Sequence, residues 1–484
     1  MKRLLVCMLA FLCLGTSACG KQEKLMADTP VEKEFSEVSV HDPSIVQGED
    51  GSYYIFGSHL AVAKTDDLMN WSYVNQGVKD DNEIIPDVYS VMRDAFEWSH
   101  SNTFWAPDVV KLNDGKYHLY YCNCQGDTPV SCLGTAVSDS VSGPYENEGL
   151  MLRSGMDAGE EDEDGNLYQA TVDPNTVDPN TFYDAQGRLW MIYGSYSGGI
   201  FIKEMDPETG LPLESGYGEK LLGGNHLRIE APYVIYNEDT GYYYMFLSFG
   251  GLDSDGGYNI RVCRSENPEG PYVDSMGQEM TDCKGPAGSS FSDVTAEQYG
   301  TKLMGGYKFE WKEGEEGEDR RGYLSPGHNS CLYQAETDKY FIIYHTRFEN
   351  SGEEHQVRVH QMFFNEDGWP VIAPYRYAEE TAEPCSKEDA AGTYKLINHG
   401  RDISAEMKTS EEIELSKNGE ISGAAEGTWK LTGDYSAELT IDGDTYKGIF
   451  LKQWDEDGKK YVMTFTALCS ETGVSIWGSG LNAI

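Results

Sequence analysis

Asp42-Pro-Ser, Ala106-Pro-Asp, Asp178-Pro-Asn, Glu230-Ala-Pro-Tyr and His328-Asn-Ser lie far apart in the chain, each nine to eleven residues upstream of an aromatic-rich run. Their leading positions carry Asp, Ala, Asp, Glu and His. One Asp-Pro alone is an ordinary turn opener. Three acids and a histidine at one position of a recurring pattern point to a shared site. Breaking a glycosidic bond needs an acid for the leaving oxygen and a base for water, and a third carboxylate can raise the acid's pKa through like charge. Asp42, Asp178 and Glu230 supply that set, and the longer Glu230 suits the proton donor. A catalytic zinc would need two or more histidines. This position offers only His328, so a hard cation carrying water ligands is the better match.

Residues so distant need a repeated scaffold to bring them together. Five runs share a turn residue followed by an aromatic strand: Gly51-SYYIFGS, Gly115-KYHLYY, Gly187-RLWMIYGS, Gly241-YYYMFLS and Asp338-KYFIIYH. Each is six to eight residues of β-favouring sequence opened by a hairpin signal. The steps between them are 64, 72, 54 and 97 residues, the last stretched by an acidic, glycine-rich insertion around 311–322. Units of that size suggest propeller blades, whose innermost strands all begin beside one central channel. The expected fold is all-β: a five-bladed β-propeller over 37–379, then a small antiparallel β-barrel or sandwich over 380–484. Short alternating strands such as TYKLI, GTWKL and YVMTFTAL mark the second domain, which shows no cluster of acids or histidines.

The chain has 484 residues and a net charge of −44, which argues against nucleic acid or an anionic membrane surface as partner and says little about a neutral polymer. Lys2 and Arg3, the apolar run Leu4–Leu14 and small residues up to Ala18 read as a signal peptide over 1–18. Cys19 then resembles the lipid-anchored cysteine of bacterial lipoproteins, with a polar tether over 19–36, although Thr16 stands where leucine is usual and leaves plain secretion open. Either way the protein is expected outside the cell, as a monomer. Eight cysteines remain beyond Cys19; Cys122, Cys124 and Cys132 cluster without a second half-site for zinc, so they read as core thiols or one local bridge.

The strings VHDPSI (40–45), FGSHLAVAKTDDLMNW (56–71), FWAPDV (104–109), VDPNTFYD (177–184), WMIYGSYSGGIF (190–201), RIEAPYV (228–234) and SPGHNS (325–330) resemble glycoside hydrolase family 43, and most closely its two-domain extracellular endo-arabinanases. The likeness continues through HTRF (345–348), EEHQVRVHQMF (353–363) and EDGWPVIAPYRY (366–377). It implies an inverting hydrolase of α-1,5-linked arabinan. Carried over by residue, Asp42 is the general base, Glu230 the general acid, and Asp178 the carboxylate that tunes and orients that acid. His328 would hold a calcium ion (Ca2+), mostly through waters. Trp105 would floor the sugar at the cleavage point, Ser195 would bond its hydroxyls, and His59 is a weaker candidate for the same rim. VDPNT occurs twice, at 172–176 and 177–181; only the second copy continues into a blade strand, so Asp178 is the site residue and Asp173 a loop residue. Rival readings are an exo-acting α-L-arabinofuranosidase or β-xylosidase on the same scaffold and a retaining fructan enzyme. A further one, outside enzymes, is a glycan-binding surface lipoprotein, though none of the three acids is missing.

Overall fold

The computed structural model describes residues 32–126, 128–156, 161, 165–317 and 320–484. The expected signal peptide, Cys19 and the tether up to residue 31 lie outside the described residues.

The described chain is almost all strand, and the five aromatic runs explain why. Gly51, Gly115, Gly187, Gly241 and Asp338 all sit at positive φ (85°, 83°, 78°, 72° and 54°), the backbone that tight hairpins demand. Each turn folds an aromatic strand back on the strand before it. In the first unit Ser44–Gln47 pairs with Tyr53–Gly57 in the register Ile45↔Ile55, and Ala61–Thr65 and Ser72–Asn75 complete the sheet. The second unit repeats this with Trp105–Lys111, Tyr117–Cys124, Ser131–Ser138 and Glu146–Ser154. The third uses Asn180–Tyr183, Leu189–Tyr193, Ile200–Met205 and Glu219–Leu222. The fourth uses Ile229–Asn237, Tyr242–Phe249, Asn259–Ser265 and Thr301–Met304. The result is a propeller-like arrangement whose buried aromatic strands fill the spaces between sheets.

Five like blades were expected, but only four units have this plain form. The fifth repeat has long strands, Tyr323–Gln334, Lys339–Phe348 and His355–Phe364, followed by Pro370–Ile372. Its sheet holds six strands because Tyr307–Lys308 adds at one edge and in turn takes a parallel partner, Lys408–Thr409, from the C-terminal region. The N-terminal segment ties first and last units together: the Val357 amide donates to the Val38 carbonyl at 3.0 Å, and Glu37 pairs with Arg358 at 2.8 Å.

The C-terminal strands form a barrel. From Gly392–Asn398 the pairing runs strand to strand through Asp444–Asp455 and Lys460–Cys469 to Val474–Ala483, which pairs back with Gly392–Asn398 and closes the ring. Its interior is packed with Trp429, Phe450, Phe465 and other apolar side chains. The barrel's last strand also pairs in parallel with the fourth unit, Val474 opposite Lys302. Trp477, fully buried, packs with Phe246 of the fourth unit and Ile342 of the fifth in one core. All eight described cysteines are free thiols, seven of them buried, so the expected core thiols are present and a local bridge is not.

Candidate active site

Four of the five inner strands begin at a non-glycine residue held in a strained backbone. Asp42, Asp178, Ala231 and His328 all take the left-handed backbone, with φ of 57°, 55°, 55° and 47°. Non-glycine residues hold that conformation only where their surroundings enforce it. A proline follows three of them, fixing the strand's entry into the sheet. Asp42, Asp108, Asp178, Ala231, Tyr233 and His328 line one small central channel. The register differs in one respect from the sequence reading. Ala231, not Glu230, occupies the strained position of the fourth unit; Glu230 stands one residue ahead and is also buried, 8% exposed.

Asp42 is gripped on both oxygens. Its Oδ1 lies 2.9 Å from His328 Nδ1, and its Oδ2 lies 2.7 Å from His41 Nδ1 and accepts from Ser58 Oγ. The Asp42 amide donates to His345 Nδ1 at 3.1 Å, and the His345 ring stacks on His41 with centroids 4.0 Å apart. Glu230 is held from both sides: Ser195 Oγ donates to Oε2 at 2.6 Å and Tyr258 OH to Oε1 at 2.8 Å. Asp178 is tied to the same strand, since the Ala231 amide donates to its Oδ2 at 3.1 Å.

These surroundings give the acids different protonation. Burial works to raise Asp42, but His328 and His41 beside it win and hold its carboxyl well below the usual range. Asp178 goes the other way. Burial pushes it up to about 8, against the pull of His328 and with the like charges of Glu230 and Asp42 adding to the rise. Burial would lower His328, yet Asp42 and Asp178 outweigh it and raise the imidazole to about 9. A charged Asp42 and a proton-holding Asp178 therefore share one buried site, which limits the negative charge gathered there.

The other expected residues fall around this centre. Trp105 is half-buried at the head of the second unit's inner strand, its Nε1 donating to the Cys124 carbonyl at 3.0 Å. With His59, whose ring meets it edge-on at 5.2 Å, it lines a cleft of about 450 Å³ that also contains His41 and Ser58. Ser195, expected to bond sugar hydroxyls, donates its own hydroxyl to Glu230, which leaves its oxygen lone pairs as acceptors. Asp173 lies away from the channel and accepts the Gln169 amide at 2.6 Å in a local turn. Sequence reasoning missed His41, Ser58, Tyr258 and His345. His41 and Ser58 stood inside the matching strings, but nothing in their spacing showed which side chains would reach Asp42. Tyr258 lay in an unremarked stretch.

The resemblance implies a calcium ion at His328, and the donors there fit one kind of ion. Nδ1 is committed to Asp42, and among the described residues Nε2 has no protein partner. One nitrogen beside several carboxylates makes no cage, but it suits a hard cation that keeps most of its own water. The nearby trio His41, Asp42 and His345 also brings ligand atoms within 4.8 Å of one another. There, however, the Asp42 amide already occupies the His345 Nδ1 lone pair.

With this geometry in place, the comparisons with known proteins are decisive. The model of glycosyl hydrolases family 43 matches residues 32–370, and that of its C-terminal lipocalin-like domain matches 374–478. The chain belongs to glycosyl hydrolase family 43. An extracellular endo-α-(1→5)-L-arabinanase of Bacillus subtilis is 53% identical over 475 residues, covering 98% of both chains. A family 43 glycoside hydrolase of Bacillus licheniformis superposes with a TM-score of 0.89 at 54% identity, over 93% of this chain and all of that one. The endo-1,5-α-L-arabinanase of Thermotoga petrophila gives 0.88 at 46%, with the same coverage. Among family 43 proteins, then, this chain has relatives that match its propeller and its barrel together.

Proposed function

We propose that this protein is an extracellular endo-α-1,5-L-arabinanase that hydrolyses arabinan with inversion. The observation that carries the reading is the meeting of Asp42, Asp178 and Glu230 in one buried centre, in a chain that full-length arabinanases match. Asp42, ionised and fixed from both sides, takes a proton from water as the water oxygen attacks the anomeric carbon. Glu230 donates its proton to the departing O5 of the next sugar. Ser195 and Tyr258 hold its carboxyl for that transfer. Asp178, neutral near pH 7, limits the negative charge around the acid and anchors its strand through the Ala231 amide. Trp105 forms the floor beneath the sugar at the cleavage point.

In its neutral form His328 would hold a calcium ion through Nε2, and the ion's charge would then take over the imidazolium's part in offsetting the repulsion among the carboxylates. The ring is read as five blades, the strand Tyr323–Gln334 closing it. That reading is supported by packing of this strand against the inner strands of both the first and the fourth units. The division at 379/380, the signal peptide and a lipid anchor at Cys19 belong to the same proposal.

Sizing the products from linear and branched arabinan over time tests the activity. Oligomers should come first; arabinose alone from the start would mean exo attack. Early proton NMR of the released ends should show the inverted anomer, and retention would exclude single displacement.

A further inference from the structure

Between Ser265 and Thr301 the fourth unit makes a long excursion that places Phe291 on the surface, 55% exposed. An exposed aromatic alone means little. This one is also strained: its φ is 56°, a conformation rare for a bulky residue. The strain is enforced, since the Phe291 amide donates to the His226 carbonyl at 3.1 Å and the Asp293 amide donates to the Phe291 carbonyl at 3.0 Å. The next turn is pinned by Arg228, whose Nε donates to Asp293 Oδ1 at 3.0 Å. A chain held rigid to expose an apolar ring is a feature to explain by function.

Its location supplies the explanation. Phe291 meets Tyr196 edge-to-face, centroids 5.9 Å apart at 70°. Tyr196 follows Ser195, the residue that bonds Glu230, and its own amide donates to the Ile229 carbonyl at 3.0 Å, one residue before Glu230. Its hydroxyl donates to the Gly250 carbonyl at 3.2 Å, so the ring is fixed. The aromatic pair therefore stands on the acid's side of the site, whereas Trp105 and His59 share a cleft with His41 and Ser58, the residues that hold Asp42.

We infer that Tyr196 and Phe291 form the binding platform for the arabinofuranosyl unit on the leaving-group side of the cut. The inference rests on the proposed role of Glu230, because the group that Glu230 protonates departs on its side. The C–H face of a sugar ring carries slight positive charge and packs on the negative face of an aromatic. A neutral arabinan chain needs no charged partner there.

The test uses the full chain and a ladder of linear arabino-oligosaccharides from three to six units. Phe291→Ala should lower kcat/KM on the longer members by about five- to tenfold, through KM more than kcat, while Phe291→Trp restores it. Phe291→Gly, which suits the left-handed backbone, should lose the same activity with an unchanged or higher melting temperature. Wild-type rates on the whole ladder for Phe291→Ala and Phe291→Gly would overturn the inference, as would a uniform loss in kcat alone. Wild-type protein that leaves every oligosaccharide uncut would instead overturn the proposed activity.

Discussion

At the scale of single residues, the site's logic is one carboxylate kept charged and another kept neutral. Asp42→Asn and Glu230→Gln should each lower kcat on arabinan by about a thousandfold or more, since each removes one proton transfer. Asp173→Asn, which lies outside the channel, should stay within about twofold of wild type. Asp178 makes a second prediction, and its sign follows from its pKa. The folded value of about 8 stands above the ordinary 3.8. The stability contributed by its neutral form is therefore complete below pH 4 and is lost as the pH climbs to 8. In chelator-treated protein, Asp178→Asn should melt like wild type at pH 4 and above it, by about 2 °C, at pH 8.5. A constant difference across that range would show that Asp178 does not titrate there. Removing calcium should slow turnover severalfold with only a small change in melting temperature, and added calcium should restore the rate. Equal rates with and without chelator would take the ion out of the mechanism.

At the scale of elements, the five turn residues and their aromatic strands were legible because hairpins leave a local signature. A glycine or Asp at positive φ followed by an unbroken run of aromatic and aliphatic residues is written in consecutive positions. The three acids were legible for a related reason: the X-Pro string marks where each inner strand begins. The one-residue offset of Glu230 was not, because spacing cannot tell which of two neighbours takes the strained backbone and which takes the site. Nor were His41, His345 and Tyr258, whose parts depend on approach between strands distant in sequence. Gly327 shows how tight that approach is. A Cβ there would stand 2.1 Å from the Tyr258 ring, the side chain that bonds Glu230. Gly327→Ala should displace Tyr258, lower kcat at least tenfold and destabilise the fold by about 1–3 kcal/mol, read by activity and denaturant melts together. Activity near wild type would mean that Glu230 does not depend on Tyr258.

At the scale of the molecule, the sequence announced a second domain by its change of texture but gave no sign of how it attaches. The reason is physical: the linker is local, whereas the parallel pairings Lys302↔Val474 and Tyr307↔Lys408 join strands more than a hundred residues apart. Trp477, on the barrel strand, lies with Tyr307 at 4.9 Å in an edge-to-face contact and is fully buried in the core shared with the last two units. Trp477→Ala should cost about 3–5 kcal/mol and still unfold in a single transition. Two separated transitions would show barrel and propeller to be independent.

The shared sheet also bears on how such enzymes can change over time. Binding modules joined by slack linkers can be traded between genes as cassettes, because nothing is torn when they leave. Here, deleting the barrel would strip hydrogen-bonded neighbours from both units that carry Glu230 and His328, baring an edge of each of those two sheets. A lineage holding this arrangement inherits catalytic ring and barrel as one unit, and recombination breakpoints between residues 373 and 391 should yield insoluble chains.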